Sequence, residues 1–353
     1  MTDTVETAAE VATAAAAPIP GHVDSPWRSA TPDQRRTRRW LLIGVATLFV
    51  VVAVVFGFPT GREVITGWVL LFLFAACAGR LRVWARVVVH DWVPLIAVLF
   101  LYDFLRGSAK SVGTLFATLP TLHADRVNPA VTVHAHVTEP IDVDKALFGG
   151  HVPTVWLQQH FYTPGVVHWW DAIAVPVYFS HFLVSLGVAV ALWAASYRLY
   201  RRYVWTLVAL TLITLATYAA FPAAPPWMAG LPDNHVLPQV GRVVSDTLKA
   251  MGGHTVNSAV ERGDAYSNRV AAMPSLHAAI PMMLLLFAWP LVRWWARTGL
   301  AVYAVAMALT LVYGGEHYVA DVLAGWLYAL GTVLAVRWWF DRREARTADS
   351  PRP

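Results

Sequence analysis

Apolar residues in this chain come as long unbroken runs rather than at alternating or three-to-four spaced positions. Eight such runs stand out: Trp40–Phe58, Val64–Gly79, Val87–Leu105, Trp170–Trp193, Val204–Phe221, Leu276–Val292, Thr298–Gly314 and Tyr318–Phe340. A helix of about 17–25 apolar residues crosses the hydrocarbon core of a bilayer. The pattern therefore predicts a polytopic bundle of about eight transmembrane helices, with Val64–Gly79 the shortest. The polar segments between runs are of two kinds. Some are short and arginine-rich. Two others, 107–169 and 222–273, are long and mixed. In the first of these, Val131–Val137 alternates polar and apolar positions, as a short strand does. Pro153–Phe161 is apolar and aromatic but too short to span, which predicts a segment lying in the membrane interface or packed over a site. In the second, Pro225-Pro226 ends the fifth helix and Gly252-Gly253 marks a turn.

Composition supports the membrane reading: 57% of residues are hydrophobic and 14% charged, against roughly 25% charged in a soluble globule. The net charge of +5 is explained by topology rather than by nucleic acid. Of the 27 Lys and Arg residues, 18 are arginines that precede the first run, separate runs two and three, four and five, and six and seven, or close the chain from Arg337 onward. With eight spans all of these fall on one side, which the positive-inside rule makes cytoplasmic, together with both termini. The long segments are then extracytoplasmic loops of a multi-pass protein of the cell membrane. Tryptophans such as Trp40, Trp92, Trp169, Trp294 and Trp338 sit near run ends, as an interfacial belt requires. Residues 1–38 read as a disordered cytoplasmic tail without a secretory signal, 39–340 as the transmembrane domain, and 341–353 as a second cytoplasmic tail. Cys77 is the one cysteine, so no intramolecular disulfide forms. There is no nucleotide-binding glycine loop.

Two stretches concentrate chemistry. Ala271–His277 reads Ala-Ala-Met-Pro-Ser-Leu-His, and Gly315–Asp321 reads Gly-Glu-His-Tyr-Val-Ala-Asp. Each places a histidine at the mouth of a predicted helix. His317 and Asp321 are four apart and share a helix face. Such a carboxylate can hold Nδ1–H and leave Nε2 free to attack phosphorus. The spacing alone equally suits a structural His–Asp pair pinning two helices. His277 is a candidate general acid; its bland counterpart is an incidental histidine on a capped helix. Pro274 and Ser275 suit a helix start, with Ser275 as N-cap and phosphate-facing residue. Arg106 and Lys110, at the outer end of the third run, are candidate phosphate-binding cations, or else residues snorkelling to the interface. Arg269 is a third such cation, and Asp103 can fix Arg106 at i, i+3. The outer-loop pair His134-x-His136 would put two imidazoles on one strand face, but no third ligand follows at metal-binding spacing, so solvated histidines are the simpler reading. His181 reads more simply as a satisfied buried histidine than as a pocket residue. By topology, Arg106, His277, His317 and Asp321 all reach the outer membrane face.

Pro274-Ser275-Leu276-His277 followed by His317-x-x-x-Asp321 resembles the second and third signatures of the type 2 phosphatidic acid phosphatase superfamily. Tyr102–Gly107, Leu147–Gln158 and Phe221–Trp227, with Val177–Phe182, resemble its inositolphosphotransferase branch, typified by inositol phosphorylceramide synthases. The resemblance runs from about 91 to about 330. It implies a six-helix catalytic core, a phosphohistidine mechanism without cofactor or metal, and transfer of inositol phosphate from a phospholipid to a lipid or glycan hydroxyl. Two departures bear on this. The usual lysine-arginine signature before Pro274 is missing, and Leu311 stands where ordinary phosphatases carry an arginine six residues before the nucleophile. Hydrolysis of phosphatidate or polyprenyl phosphates is the nearest alternative activity, and a non-catalytic transporter or scaffold the alternative from another class. Glu316, beside His317, either raises the basicity of the imidazole or sits in water.

Overall fold

A computed structural model describes residues 31–56, 62–78, 89, 91–93, 96–97, 118–124, 131–251 and 269–348. The chain divides into two compact units, residues 1–96 with 184–205, and residues 97–183 with 206–353. The elements in order are α1 (Pro32–Phe56), α2 (Arg62–Ala76), β1 (Thr121–His123), β2 (Thr132–His134), α3 (Thr138–Leu147), α4 (Pro153–Phe161), α5 (Trp169–Ala195), α6 (Tyr197–Ala220), α7 (Pro226–Ala229), α8 (Val243–Ala250), α9 (Leu276–Ala288), α10 (Trp294–Tyr313) and α11 (Val319–Ala348). Seven of the eight apolar runs are thus helices; the third, Val87–Leu105, lies almost wholly outside the described residues, as do Gly252-Gly253 and residues 1–30. Among the described residues, Tyr197–Ala220, Trp294–Tyr313 and Val319–Arg346 are long and apolar enough to cross a membrane, and Trp169–His181 with Leu183–Trp193 would make a fourth. The protein is a mostly helical, multi-pass membrane bundle.

In the first unit, α1 packs on α2 through an edge-on contact of Phe49 with Trp68, ring centroids 5.1 Å apart. Arg38 is fully buried, and its Nε donates to the carbonyl of Ala78 at 2.9 Å. A charge removed from water must be met by acceptors in this way. Buried Asp91 gathers three donors: Trp193 Nε1 at 3.1 Å and the Tyr197 hydroxyl at 2.8 Å on its carboxylate, and the Tyr200 hydroxyl at 2.8 Å on its carbonyl.

The second unit holds two apolar clusters. One lies among the loop elements and is built on Leu122, Val137, Ile141, Trp227, Met228 and Tyr318. The other lies among the long helices and joins Ala278, Met307, Leu311, Val312 and Val322. α9 packs along both α10 and α11, α4 lies on α10, and α3 lies on α11. The predicted strand is there as β2, paired antiparallel with β1 in the register Thr121 to His134 and His123 to Thr132. The apolar segment 153–161 is α4, opened by Pro153 at its first turn, where a missing N–H costs nothing.

Candidate active site

Three extended stretches deliver the chain to the start of α9. The His136 amide donates to the Pro222 carbonyl at 2.8 Å and the Ala224 amide to the His136 carbonyl at 2.9 Å. Ala223 N–H then donates to Val270 at 2.8 Å, and Ala272 N–H to Ala223 at 3.2 Å. The Tyr218 hydroxyl, near the end of α6, donates to the Pro274 carbonyl at 2.8 Å. Ser275 follows in extended conformation and caps the helix: its hydroxyl accepts from Ala278 N–H at 3.3 Å. That hydroxyl is fully buried. Any service to a phosphate therefore runs through the N–H groups the cap orients. His277, half-buried, stands in the first turn.

The other histidine arrives by a tight turn. α10 ends at Gly314, and Gly315 has φ of +76°, a region that glycine enters without steric cost. Glu316 and His317 amides both donate to the Leu311 carbonyl, at 3.1 and 3.3 Å. One turn on, Asp321 Oδ2 accepts the Tyr318 amide at 2.9 Å and faces His317 Nδ1 at 3.4 Å. The second distance is long for a formed hydrogen bond, as is common before substrate tightens a site. Asp321 is fully buried, and its Oδ1 has no hydrogen-bond partner among the described residues. The carboxylate is thus placed to receive Nδ1–H, which leaves Nε2 as the unprotonated ring nitrogen.

The two motifs are joined through the backbone. Ser275 N–H donates to the Asp321 carbonyl at 2.9 Å. A methyl group on Gly325 would collide with the Ser275 carbonyl, so glycine is what lets α9 and α11 approach. The result is that the His277 and His317 rings lie 6.2 Å apart, centroid to centroid. His277 stacks on two rings from α5, Tyr178 at 4.9 Å and His181 at 4.2 Å between centroids.

Several contributors escape a reading of the sequence. His181 is the first: it is buried, as the simpler reading expects, but it stacks directly on His277. Asp144 of α3 is the second. Fully buried, it accepts Val319 N–H at 3.2 Å and Ala320 N–H at 2.9 Å and so caps the helix that carries Asp321. Burial raises its pKa to about 6; the two amide bonds oppose the rise and the charge of Asp321 adds to it. The third is Gln158, whose side chain bonds both the amide and the carbonyl of Gly241, at 2.7 and 3.0 Å, and the Tyr313 carbonyl at 2.7 Å. It straps the 240–242 segment to the turn before His317. Glu316 is accounted for by the same strap. Its carboxylate takes Arg242 side on, Nε to Oε1 at 3.0 Å and Nη2 to Oε2 at 3.4 Å, and the guanidinium rests over Trp227 at 4.9 Å. A carboxylate neutralised in this way does not repel an anion at His317.

The candidate cations are placed unevenly. Arg269 donates through Nη1 to the Ala124 carbonyl. Arg106, Lys110 and Asp103 lie outside the described residues. Leu311, where an arginine is absent, is fully buried in the helical cluster. The loop histidines are engaged locally: His134 Nδ1 with the Leu119 carbonyl at 3.1 Å, and His136 with Glu139 at 2.6 Å and stacked on Phe221.

The chain is 29% identical to a phosphoinositol dihydroceramide synthase from Bacteroides thetaiotaomicron, over 319 residues covering 80% of this chain and 98% of that protein. No solved structure matches it. The family description "PAP2 superfamily" matches residues 141–335, which hold both histidine motifs. The protein is a membrane lipid phosphotransferase or phosphatase, and it belongs to the PAP2 superfamily.

Proposed function

We propose that the enzyme transfers an inositol phosphate head group from a phospholipid to a lipid or glycan hydroxyl, through a phosphohistidine at the outer membrane face. The observation that carries this reading is the pair of facing imidazoles, 6.2 Å apart, with a carboxylate behind one of them. His317 Nε2 attacks phosphorus, and the bond from phosphorus to the lipid alkoxide breaks. His277, entering as imidazolium, gives its proton to that alkoxide. Asp321 holds Nδ1–H and steadies the charge that builds on the ring. In the second half, neutral His277 takes the proton of the acceptor hydroxyl, whose oxygen attacks phosphorus and releases His317. The equatorial oxygens need cations and N–H donors. Arg106, Lys110 and Arg269 are the proposed cations, and the N–H groups oriented by Ser275 the proposed donors.

The similarity to a phosphoinositol dihydroceramide synthase supports an inositol-phosphate donor and a lipid acceptor for this chain too. The arginine distribution supports cytoplasmic termini and an extracytoplasmic site. The test uses purified protein and phosphatidylinositol labelled in its head group, with a membrane lipid extract as acceptor source. A new labelled lipid, lost in His317→Gln, is expected. Release of soluble phosphate or inositol phosphate with no new lipid would overturn transfer in favour of hydrolysis. A His317→Gln variant with full activity would remove the phosphohistidine altogether.

A further inference from the structure

In the proposed chemistry the ring of His277 gives a proton to one alcohol and takes one from the next. It must therefore present the same nitrogen twice to a passing oxygen. The histidine rotamer does not fix that ring, since χ2 of an imidazole lies in a broad, roughly two-fold well. His317 has the Asp321 carboxylate facing its Nδ1. On His277 the close neighbours are rings.

Tyr178 and His181 stand three residues apart on α5 and so project from one helix face. Both lie close to parallel with the His277 ring, inclined by 21° and 27°, with centroids 4.9 and 4.2 Å away. These are stacking distances for aromatic pairs. A ring met on its face keeps its edge, and both imidazole nitrogens lie in the edge. Stacking therefore restrains the plane of His277 without consuming a hydrogen bond that the reaction needs. The two neighbours are themselves held. His181 is buried. Ser180, just before it, shares a hydrogen bond with the Tyr303 hydroxyl of α10 at 2.9 Å. Asp171, two turns before Tyr178, accepts the Tyr313 hydroxyl at 2.5 Å. Both ties run to α10, the helix whose last residue opens the turn to His317. α5 thus relates the ring of one histidine to the element that delivers the other.

Resting on His277 as the proton donor of the proposed phosphotransfer, we infer that Tyr178 and His181 are positioning residues for it. Their rings hold the plane of His277 so that its N–H points at the lipid oxygen. As the bond from that oxygen to phosphorus breaks and the bond from phosphorus to His317 forms, the proton passes from His277 to the departing oxygen. Neither Tyr178 nor His181 gives or takes a proton.

Changing the leaving group isolates proton donation. Phosphatidylinositol loses an alkoxide, which must be protonated. The nitrophenyl ester of inositol phosphate loses a phenolate, which leaves without a proton. Single-turnover release of each alcohol by the full-length protein in detergent gives a rate for each donor, and the size of the nitrophenolate burst counts folded, competent enzyme. In His181→Ala and in Tyr178→Ala the ratio of the phosphatidylinositol rate to the nitrophenyl rate should fall at least about tenfold, as expected when an acid worth about 10²–10⁴ in rate is misaligned. His181→Phe and Tyr178→Phe, which keep a ring in place, should restore the ratio. Equal slowing with both donors would make the two rings structural and overturn the inference. So would Phe variants that fall as far as the Ala ones, since a ring nitrogen or a hydroxyl would then be at work instead of stacking. His277→Gln keeps this inference apart from the reading it rests on, and it should lower the same ratio at least as far. A drop in His277→Gln with no change in the α5 variants would leave the phosphotransfer standing and sink the positioning role. An unchanged ratio in His277→Gln would remove His277 as the acid, and the positioning role with it.

Discussion

At the scale of the residue, the site depends on carboxylates that no water reaches. Asp321→Asn keeps the shape but cannot hold Nδ1–H as an anion does. Turnover should fall by about three to four orders of magnitude with little loss of folded protein, read by transfer rate alongside thermal unfolding; an unchanged rate would make Asp321 structural. Asp144 gives a pH signature. Its pKa is raised from about 3.8 to about 6, so the folded state holds this proton more tightly than the unfolded chain. The stability this contributes is complete below pH 4 and is lost as pH rises through 6. Wild type should therefore lose on the order of 3 kcal/mol relative to Asp144→Asn between pH 4 and 7; parallel unfolding curves for the two proteins would refute this. The two carboxylates differ in how legible they are. Asp321 is readable because four residues on a helix return to the same face. Asp144 is not: its partners are 175 and 176 residues away, and its own helix is short and polar. The stacking of His181 on His277 is not legible for a related reason, since a buried histidine on an apolar helix leaves the same mark whatever its neighbour.

At the scale of the element, the long apolar runs predict their helices well, because in a bilayer a backbone has few other ways to satisfy itself. Seven runs appear as helices at nearly the expected places, and the alternation at 131–137 and the apolar segment at 153–161 appear as β2 and α4. What the runs do not encode is which helices touch. That information sits in single glycines. Gly325→Ala should push α11 away from Ser275, costing about 1–3 kcal/mol and about a hundredfold in rate if the imidazoles separate by 1 Å. Thermal unfolding and turnover, measured together, check this; a stable variant of full activity would show the close approach to be dispensable. Gly315→Ala meets both a positive φ and the Gly241 carbonyl, and it should lower stability by a comparable or larger amount.

At the scale of the whole molecule, orientation is the open coordinate, and charge predicts it. In a Cys77→Ser background, a cysteine placed at exposed Asp233 should react with a membrane-impermeant maleimide in intact cells, and one at exposed Asp341 should react only after lysis. The reverse pattern would put the histidines in the cytoplasm. The multi-pass architecture was legible in the sequence, because apolar length is summed over many residues and tolerates local error. The loop architecture over the site was not, since it rests on single polar contacts such as those of Gln158. The His277 and His317 rings are registered through main-chain contact, Ser275 N–H on the Asp321 carbonyl and Gly325 against Ser275. Side chains on the opposite, lipid-facing surface of α11 play no part in that register. Mutational drift there leaves the spacing of the two histidine rings untouched, so a lineage can change that surface without first losing the arrangement.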